Sequence, residues 1–301
     1  METPDSSETP IHFANYVVGI LDVLNQGNQL RRLDTLPDTP EEEEQFLKDV
    51  KSTFGTIKAF REAFRGAFLS RIPQHKTNPR YLALPEAKKS EYDKAMTVSL
   101  GAQCFSDTMV LYAPIPNETG FPTVLGVHAM LTAAASVALC FYGRGVFFRG
   151  GIDVGIAAEW QPNEIYGPVL RSAYHLEHEV AGWPRVVVGT NATNFIYSCL
   201  NETETSVSAD LNRLLAKECR DCLCTCPDGA VMVDFLGRSM HALCQKVGDG
   251  RETELVMTGM DHVGREHARF AQAGDEKLTR RYASLERYYL QRIGLWSSGT
   301  R

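Results

Sequence analysis

Apolar and polar residues follow one another along the chain in a pattern that predicts a mixture of strands and helices. Residues 12–24 are rich in β-branched side chains, which is typical of a buried strand. Residues 40–70 begin with a proline and a run of acids and then repeat apolar residues at helical spacing, so we expect a helix there. The polar residues 71–95 are expected to form a connecting loop.

Two further strands surround a single acid in the stretch QCFSDTMVLYAPI, residues 103–115. A helix is expected over residues 122–142, a glycine-rich strand over 145–159, and another helix from about Pro168. Residues 184–189, PRVVVG, predict a short strand. The resulting order, β-α-β-β-α-β, is that of a ferredoxin-like α+β fold, in which helices cover one face of an antiparallel-dominated sheet.

The rest of the chain is expected to add a hairpin and several helices. A helix over about 206–217 precedes a hairpin that turns at PDG, residues 227–229. Residues 251–293 are mostly helical, and one apolar stripe follows the last helix. Its members are Leu278, Tyr282, Leu285, Tyr289 and Ile293. The stripe either packs on its own domain or contributes to a dimer contact, and the pattern leaves both open.

These elements divide the chain into three parts. Residues 1–10 are expected to be a disordered tail. Residues 11–250 form the main domain, with a helical insertion at about 35–98 between its first two strands. Residues 251–301 form a C-terminal helical extension that packs on the domain or at a dimer contact.

Charge and hydropathy exclude some classes of protein. The chain has 31 Lys and Arg against 37 Asp and Glu, a net charge of −6, whereas a duplex nucleic-acid binder would usually show a basic face. The polar, acidic N terminus does not resemble a signal peptide. The most apolar window, residues 123–142, contains His128, Thr132 and Ser136 and is rich in Ala, so we expect a buried core helix. We therefore expect a cytoplasmic protein without a nucleic-acid or membrane partner.

Four of the eight cysteines lie in the stretch CRDCLCTC. They are Cys219, Cys222, Cys224 and Cys226. One hypothesis is a zinc site, although this spacing is tighter than that of the common structural zinc patterns. The other is a set of reduced thiols, the last three sharing one face of a strand before the PDG turn.

Two acids stand alone at the ends of predicted strands. Asp22 ends the first strand, in ILDVL, and Asp107 lies in FSDT between the second and third strands. In a β-α-β-β-α-β sheet the first strand is central and neighbours that hairpin, so the two carboxylates can face each other. Two carboxylates at such a short distance repel each other unless cations lie between them, and Mg²⁺ prefers such oxygen ligands. Each acid taken alone could equally hydrogen-bond its own turn.

Further motifs follow these acids in a fixed order. RGGIDVG, residues 149–155, precedes NEIYGPVLRSAYHLE, residues 163–177, and then PRVVVG. With the two acids, this order resembles the class III nucleotidyl cyclases, and most closely the pyrimidine cyclases of bacterial Pycsar anti-phage systems. Each motif is short, and together they cover about residues 12–190.

The resemblance implies how the two acids act. Asp22 and Asp107 would hold two Mg²⁺ or Mn²⁺ ions per site. The backbone after Asp22 would help to cradle the triphosphate, through Val23, Leu24, Asn25 and Gln26. The family usually has Gly three residues after its first acid. This chain has Asn25 there, and Asn tolerates a left-handed backbone, so we expect the turn to be kept.

The resemblance also implies residues for the transition state and for the base. Purine cyclases carry an Asn and an Arg four residues apart on the helix after the GP motif, where this chain has Arg171 and His175. We take Arg171 as the candidate for transition-state charge and His175 as a supporting contact. The base-reading positions are occupied by Gln103 and Glu164. This pair matches neither the Lys and Asp used for adenine nor the Glu and Cys used for guanine.

The implied protein is a homodimer with composite sites that converts a nucleoside triphosphate, UTP by the resemblance, to 3′,5′-cyclic UMP. A separately encoded effector would respond to the product. The alternative is a cytidylate cyclase, which would make cyclic CMP from CTP. Two other classes stay open, namely another two-metal nucleotidyl transferase and a non-catalytic nucleotide sensor. A diguanylate cyclase would need a GG[DE]EF hairpin, which FSDT is not.

Overall fold

The computed structural model of this protein describes residues 12–26, 30–71, 79–116, 122–247 and 250–297. Its strands are β1 (Ala14–Val23), β2 (Gly101–Phe105), β3 (Thr108–Pro114), β4 (Phe148–Gln161), β5 (Glu164–Tyr166), β6 (Val186–Val188), β7 (Leu223–Thr225) and β8 (Val231–Val233). Its α-helices are α1 (Pro40–Leu69), α2 (Pro79–Leu82), α3 (Glu86–Ala95), α4 (Leu125–Tyr142), α5 (Pro168–His175), α6 (Thr190–Leu200), α7 (Val207–Asp221), α8 (Arg238–Val247), α9 (Glu252–Gln272) and α10 (Glu276–Ser297). A 3₁₀ turn covers Arg31–Leu33, and a π-helical turn, Leu176–Val180, continues α5.

The strands form one mixed, mostly antiparallel sheet in the order β2-β3-β1-β4-β6-β8-β7, with β5 paired to β4. Of these pairings, β4 with β6 is parallel and the others are antiparallel. The predicted order β-α-β-β-α-β is confirmed for β1 to β4, with β1 in the centre. The protein is therefore α+β.

Strand β1 is apolar on both faces, and this decides how the sheet is covered. Val17 and Leu21 belong to the large core, which also contains residues of α1 and α4. Val18 and Ile20 point to the other face, where a second cluster includes Val169 of α5. The prediction that helices cover one face only is therefore wrong. Both faces of a central apolar strand must be removed from water, and α5 covers the second one.

Helix α4 is strongly apolar along its length. It is the one described helix long and apolar enough to cross a membrane, by length and composition alone, and 89% of it is buried inside the protein. The expectation of a core helix is confirmed, since α4 contacts α1, α7 and α9. Its apolar character is explained by packing on nearly every side.

Three further sequence-based predictions have different outcomes. The loop predicted over residues 71–95 contains helices α2 and α3, so that prediction is wrong for the described part. Helix α3 buries Tyr92 and Ala95 and is otherwise polar, which hid its periodicity. The stripe of α10 does pack on its own chain, because Tyr282, Leu285 and Tyr289 are buried in the large core. The predicted tail, residues 1–10, lies outside the described residues.

The contact between α5 and the sheet gives a first testable prediction. A Cβ placed on Gly151 would lie 2.3 Å from the backbone oxygen of Ala173, whereas one on Gly155 would lie 3.3 Å from the Cβ of Val169. Gly151→Ala must therefore push α5 off the sheet, and we expect it to lower the free energy of unfolding by about 2–3 kcal/mol. The melting temperature should fall by about 5 °C.

Gly155→Ala is the matched control, because it adds the same methyl group to the same face of β4. Its neighbour Val169 needs to move by only a few tenths of an ångström, so the melting temperature should fall by less than half as much. Equal losses in the two variants, measured by thermal unfolding, would contradict the close packing of α5 at Gly151.

Candidate functional site

Asp22 lies at the C-terminal end of β1, between two antiparallel neighbours. It is opposite Thr108 of β3 and Arg149 of β4 in the sheet register. The Thr108 hydroxyl donates a hydrogen bond of 2.9 Å to Asp22 Oδ1. Nη2 of Arg149 lies 3.7 Å from Asp22 Oδ2, which is ion-pair rather than hydrogen-bond distance. The side chain of Asp22 is 21% exposed, so one end of a mostly buried carboxylate reaches solvent.

Asp107 lies in the two-residue turn that joins β2 and β3. Ser106 before it has a φ of 52°, and its backbone oxygen accepts a 2.6 Å hydrogen bond from Nη2 of Arg61 on α1. The backbone oxygen of Asp107 accepts a 3.2 Å hydrogen bond from the N–H of Val23. The turn is therefore attached both to α1 and to the end of β1. Within the described residues, the Asp107 carboxylate has no hydrogen bond or ion pair.

The surroundings of Asp22 disfavour its ionised form. Burial raises the pKa of Asp22 above its usual value, and the nearby Asp107 charge raises it further. The hydrogen bond from Thr108 and the Arg149 guanidinium act in the opposite direction and only partly compensate. The sheet register places Asp22 opposite Thr108, the residue after Asp107, so the two acids lie at the same end of the sheet. A bound cation would favour the ionised form of Asp22.

Arg149 and Glu177 complete this end of the sheet, and the sequence analysis assigned neither a role. Nε of Arg149 lies 2.6 Å from Oε1 of Glu177, but neither atom has a well-directed hydrogen bond. Burial raises the pKa of Glu177, and the Arg149 charge opposes this rise. Arg149 thus lies between two acids, Asp22 and Glu177. Antiparallel pairing of the ILDVL and RGG motifs would have placed Arg149 opposite Asp22, whereas Glu177 had no comparable sequence signal.

The turn after Asp22 keeps the expected backbone. Asn25 has a φ of 67°, so the prediction of a left-handed residue at this position is confirmed. Its side-chain amide lies 3.5 Å from the hydroxyl of Tyr282, and Gln26 is buried. However, the N–H groups of Val23 and Leu24 donate to backbone oxygens of Asp107 and Phe147, at 3.2 and 2.8 Å. Neither of these two predicted phosphate-cradling N–H groups is free to bind a phosphate in this conformation.

A cavity of about 480 Å³ opens beside the Asp107 turn. Such a volume lies within the range of small-molecule sites. The apolar part of its wall comes mainly from Val50, Phe54 and Ile57 of α1. Lys58, Arg61 and Glu62 of the same helix also line it, with Lys58 Nζ 3.9 Å from Glu62 Oε1, and its rim includes Asp107.

A divalent ion at this end of the sheet would have few protein ligands. Among the described residues, no group of three or more His, Cys, Asp and Glu could hold a metal ion. Asp22 and Asp107 nevertheless offer hard oxygen atoms at one end of the sheet. Mg²⁺ is commonly held by one or two carboxylates together with substrate phosphates and water. The pair therefore fits Mg²⁺ or Mn²⁺ when a phosphate-containing ligand supplies the remaining oxygens.

Arg171 and His175 both lie on α5 and share one face of that helix. Val169 and Ala173 bury the opposite side of α5 against the sheet. Arg171 is exposed and forms no hydrogen bond or ion pair with another described residue. Nδ1 of His175 lies 3.1 Å from Glu179 Oε2. No hydrogen bond or ion pair within the described chain joins Arg171 or His175 to Asp22 or Asp107.

The two predicted base-reading residues lie on strands that approach each other. Gln103 is half-buried on the edge strand β2, and Glu164 is exposed on β5. Strand β5 folds back along β4 and contacts β2. Between these strands Tyr112 donates a 2.6 Å hydrogen bond to Glu159 Oε1. No hydrogen bond joins the side chains of Gln103 and Glu164 in the described structure.

The four clustered cysteines do not converge on one point. Cys219 is fully buried in the large core, and Cys222 lines a cavity with Arg71 and His128. Cys224 and Cys226 line a different cavity. None of them belongs to a metal-binding group among the described residues, so the structure offers no support for the zinc hypothesis.

The chemistry available at the Asp22 and Asp107 end of the sheet is electrostatic. This end of the sheet offers two carboxylates and one guanidinium, beside a cavity lined by Lys58, Arg61 and Glu62. Many phosphoryl-transfer sites share these elements, so they do not specify one reaction. Comparisons of this chain with protein-family models, with curated proteins and with solved structures found no match.

Proposed function

We propose that this protein is a cytoplasmic nucleotidyl cyclase of the class III fold that converts UTP to 3′,5′-cyclic UMP and pyrophosphate. The observation that carries the proposal is the position of the two acids at adjacent strand ends, where Asp22 lies opposite Thr108 and the N–H of Val23 donates a 3.2 Å hydrogen bond to the backbone oxygen of Asp107. Two carboxylates at this end of the sheet repel each other, and a divalent cation between them would neutralise that repulsion. The left-handed Asn25 and the central position of β1 also support the proposal.

Different residues of the site would have different roles in the reaction. Bound Mg²⁺ or Mn²⁺ would lower the pKa of the ribose 3′-hydroxyl and neutralise charge on the leaving pyrophosphate. Asp22 and Asp107 would hold the ions. Thr108 orients the Asp22 carboxylate through its 2.9 Å hydrogen bond. Lys58 and Arg61, which face the adjoining cavity, supply positive charge for the triphosphate.

The sites are composites of two chains in this proposal. Arg171 and His175 are exposed on α5 and do not pair with the two acids of their own chain. In a two-fold dimer they can reach the acids of the second copy, where Arg171 stabilises charge that develops on the α-phosphate. The cyclic nucleotide then acts on a separately encoded effector in anti-phage defence, as the sequence resemblance implies.

The test of the function is direct turnover. The purified full-length protein is incubated with UTP, CTP, ATP and GTP in separate reactions with Mn²⁺. Pyrophosphate release is measured, and a cyclic product is identified by mass spectrometry. Formation of a cyclic pyrimidine nucleotide is expected, and no cyclic product from any of the four would overturn the cyclase proposal.

A mixing experiment tests the composite sites. Asp107→Asn and Arg171→Ala should each be inactive alone but should recover activity when mixed and allowed to exchange subunits. Each heterodimer then has one intact site of two, and half of the dimers are heterodimers, so about a quarter of wild-type turnover is expected.

Asp22→Asn mixed with Asp107→Asn is the matched control for subunit exchange. Both acids of a site come from the same chain, so every site in this heterodimer lacks one acid and the mixture should stay inactive. Recovery in the control mixture, or an active protein that sediments as a monomer, would contradict the composite arrangement.

One observation favours a non-catalytic nucleotide sensor as the second candidate. The guanidinium of Arg149 lies 3.7 Å from Asp22 and provides a positive charge that a metal would otherwise supply. A sensor would bind the nucleoside triphosphate without releasing pyrophosphate. Calorimetry with UTP, run beside the turnover assay, separates the two candidates because binding without any product favours the sensor.

A further inference from the structure

The hairpin of β7 and β8 carries two cysteines that line one cavity. Cys224 lies in the edge strand β7, and Cys226 follows two residues later, just after the strand ends. Side chains two residues apart along a strand point to the same face, so both sulfurs lie on one side of the hairpin. Both are partly exposed and line a cavity of about 200 Å³ between this hairpin and α10. The pair is thus accessible to a small reagent.

Arg185 fixes a positive charge beside Cys226. Its side chain is 1% exposed, and Nη2 lies 2.6 Å from Asp228 Oδ2 in the hairpin turn. Its Nε donates a 2.7 Å hydrogen bond to the backbone oxygen of Ala181, and its guanidinium carbon lies 4.9 Å from the ring centroid of Trp183. These contacts hold the guanidinium in place. The other ionisable groups on the wall of this cavity are Asp228 on the hairpin and Arg287, Tyr288 and Arg292 on α10.

The surroundings favour the thiolate at Cys226. The hydrogen bond from Cys224, together with Arg185, lowers the pKa of Cys226 to about 7 against the opposing effect of burial. The pKa of Cys224 is raised, first by the same hydrogen bond and then by burial. One sulfur is therefore a nucleophile near neutral pH while its neighbour retains a proton.

The other thiols differ from this pair. Burial raises the pKa of Cys140, and it raises that of Cys222 to about 12 and those of Cys199 and Cys244 to about 11, so these four are poor nucleophiles at neutral pH. Cys219 is fully buried. Cys104 is exposed but lies on β2, in a different part of the sheet.

We propose that Cys224 and Cys226 form a peroxide-reactive dithiol that closes to an intramolecular disulfide. The Cys226 thiolate attacks hydrogen peroxide, the O–O bond breaks, and a sulfenic acid and hydroxide form. The Cys224 sulfur then attacks the sulfenic sulfur, an S–S bond forms, and water leaves after the Cys224 proton is transferred. Two thiols lose two electrons in total, and one peroxide is reduced to two waters. This inference is independent of the nucleotide chemistry.

Peroxide treatment of the full chain followed by alkylation and trypsin tests the proposal. Trypsin releases residues 221–238 as one peptide, which contains Cys222, Cys224 and Cys226. We expect this peptide to lose two hydrogens, with Cys222 as its only alkylated cysteine in the fragment spectrum. A bridge that includes Cys222, or no bridge at a peroxide concentration that already oxidises Cys104, would overturn the proposal.

Two variants separate the roles of the sulfurs. Cys224→Ala removes the resolving thiol, so peroxide should leave a Cys226 sulfenic acid that dimedone traps. Cys104→Ser is the matched control and should leave the bridge unchanged. A bridge from Cys226 to another cysteine in Cys224→Ala, at the wild-type rate, would show that Cys224 is not the resolving partner.

The pH dependence of alkylation provides a second readout. In the wild type, the rate of iodoacetamide addition to Cys226 should rise with a midpoint near pH 7, because the thiolate is the reacting form. In Cys224→Ala the hydrogen bond is lost, and the midpoint should move up towards that of a free thiol, about 8.5. A midpoint near 8.5 in both proteins would overturn the activated dithiol.

Discussion

Asp22→Asn and Asp107→Asn should each lower cyclic nucleotide formation by about 10³-fold or more. Loss of a single charge-stabilising group in an active site already lowers kcat by about 10²–10³-fold, and here the lost group also binds a metal. Turnover is measured with Mn²⁺ at saturating UTP. The Asn side chain keeps the shape of Asp, so the effect reports the missing charge.

The folding stability of Asp22→Asn should move in the other direction. Burial and the Asp107 charge raise the folded-state pKa of Asp22 above its unfolded value, so the ionised carboxylate destabilises the folded state at neutral pH. The wild-type stability should therefore fall as pH rises from the unfolded pKa through the raised folded pKa. The amide side chain of the variant cannot ionise, so its melting temperature at pH 7 should equal or exceed that of the wild type.

Asp261→Asn is the matched control, because it removes the same charge from an exposed position on α9. It should retain wild-type turnover. Wild-type turnover in either Asp22→Asn or Asp107→Asn would disprove the two-metal site. A lower melting temperature in Asp22→Asn would instead show that the carboxylate is needed for the fold.

Turnover should favour one pyrimidine triphosphate over the other three nucleotides by about 10⁴ in kcat/KM. A site built to pair one base edge leaves its own polar groups unsatisfied with the wrong base, which supports discrimination of that size. Gln103 has an amide donor and an amide acceptor, so it can pair with N3–H and O4 of uracil. The sequence resemblance makes UTP the expected substrate. The measurement compares kcat/KM for UTP, CTP, ATP and GTP under one condition.

Glu164→Gln probes the alternative substrate. A carboxylate at Glu164 can accept from the N4 amino group of cytosine while Gln103 donates to N3. If UTP is the substrate, the variant should keep its preference for UTP. A preference for CTP that the variant removes would make the enzyme a cytidylate cyclase, and a preference for ATP or GTP would contradict the pyrimidine proposal. Glu254→Gln, an exposed change on α9, is the matched control.

The sequence pattern predicted secondary structure correctly where an element's conformation depends mainly on its own residues. The capping box of α1, with Thr39 and Glu42 bonded to each other's backbone, begins the helix that the proline and acids predict. The PDG turn joins β7 and β8, as expected. The order of β1 to β4 was also predictable, because alternation of strand and helix signals leaves few ways to connect them. The polar helices α2 and α3 were missed because little of their surface is buried.

The candidate site also has features that follow from the local sequence and others that depend on tertiary packing. The chain itself determines that Asp22 ends a strand, that Asp107 lies in a hairpin and that Asn25 can take a left-handed backbone, since each depends on neighbouring residues. Only the tertiary structure decides that Arg149 lies between Asp22 and Glu177, because these residues come from three separate elements.

The surroundings of the dithiol and the cover of the second face of the sheet also depend on tertiary packing. The sequence places Cys224 and Cys226 on one side of a hairpin, but the charge that activates Cys226 comes from Arg185, and the cavity wall comes from α10. The apolar residues on both faces of β1 predict that elements pack on each face, but they do not identify the helix that packs on the second one. Hydrogen bonds and turns within a segment are local, whereas burial and charge depend on every element that packs nearby, and only the folded chain defines those neighbours.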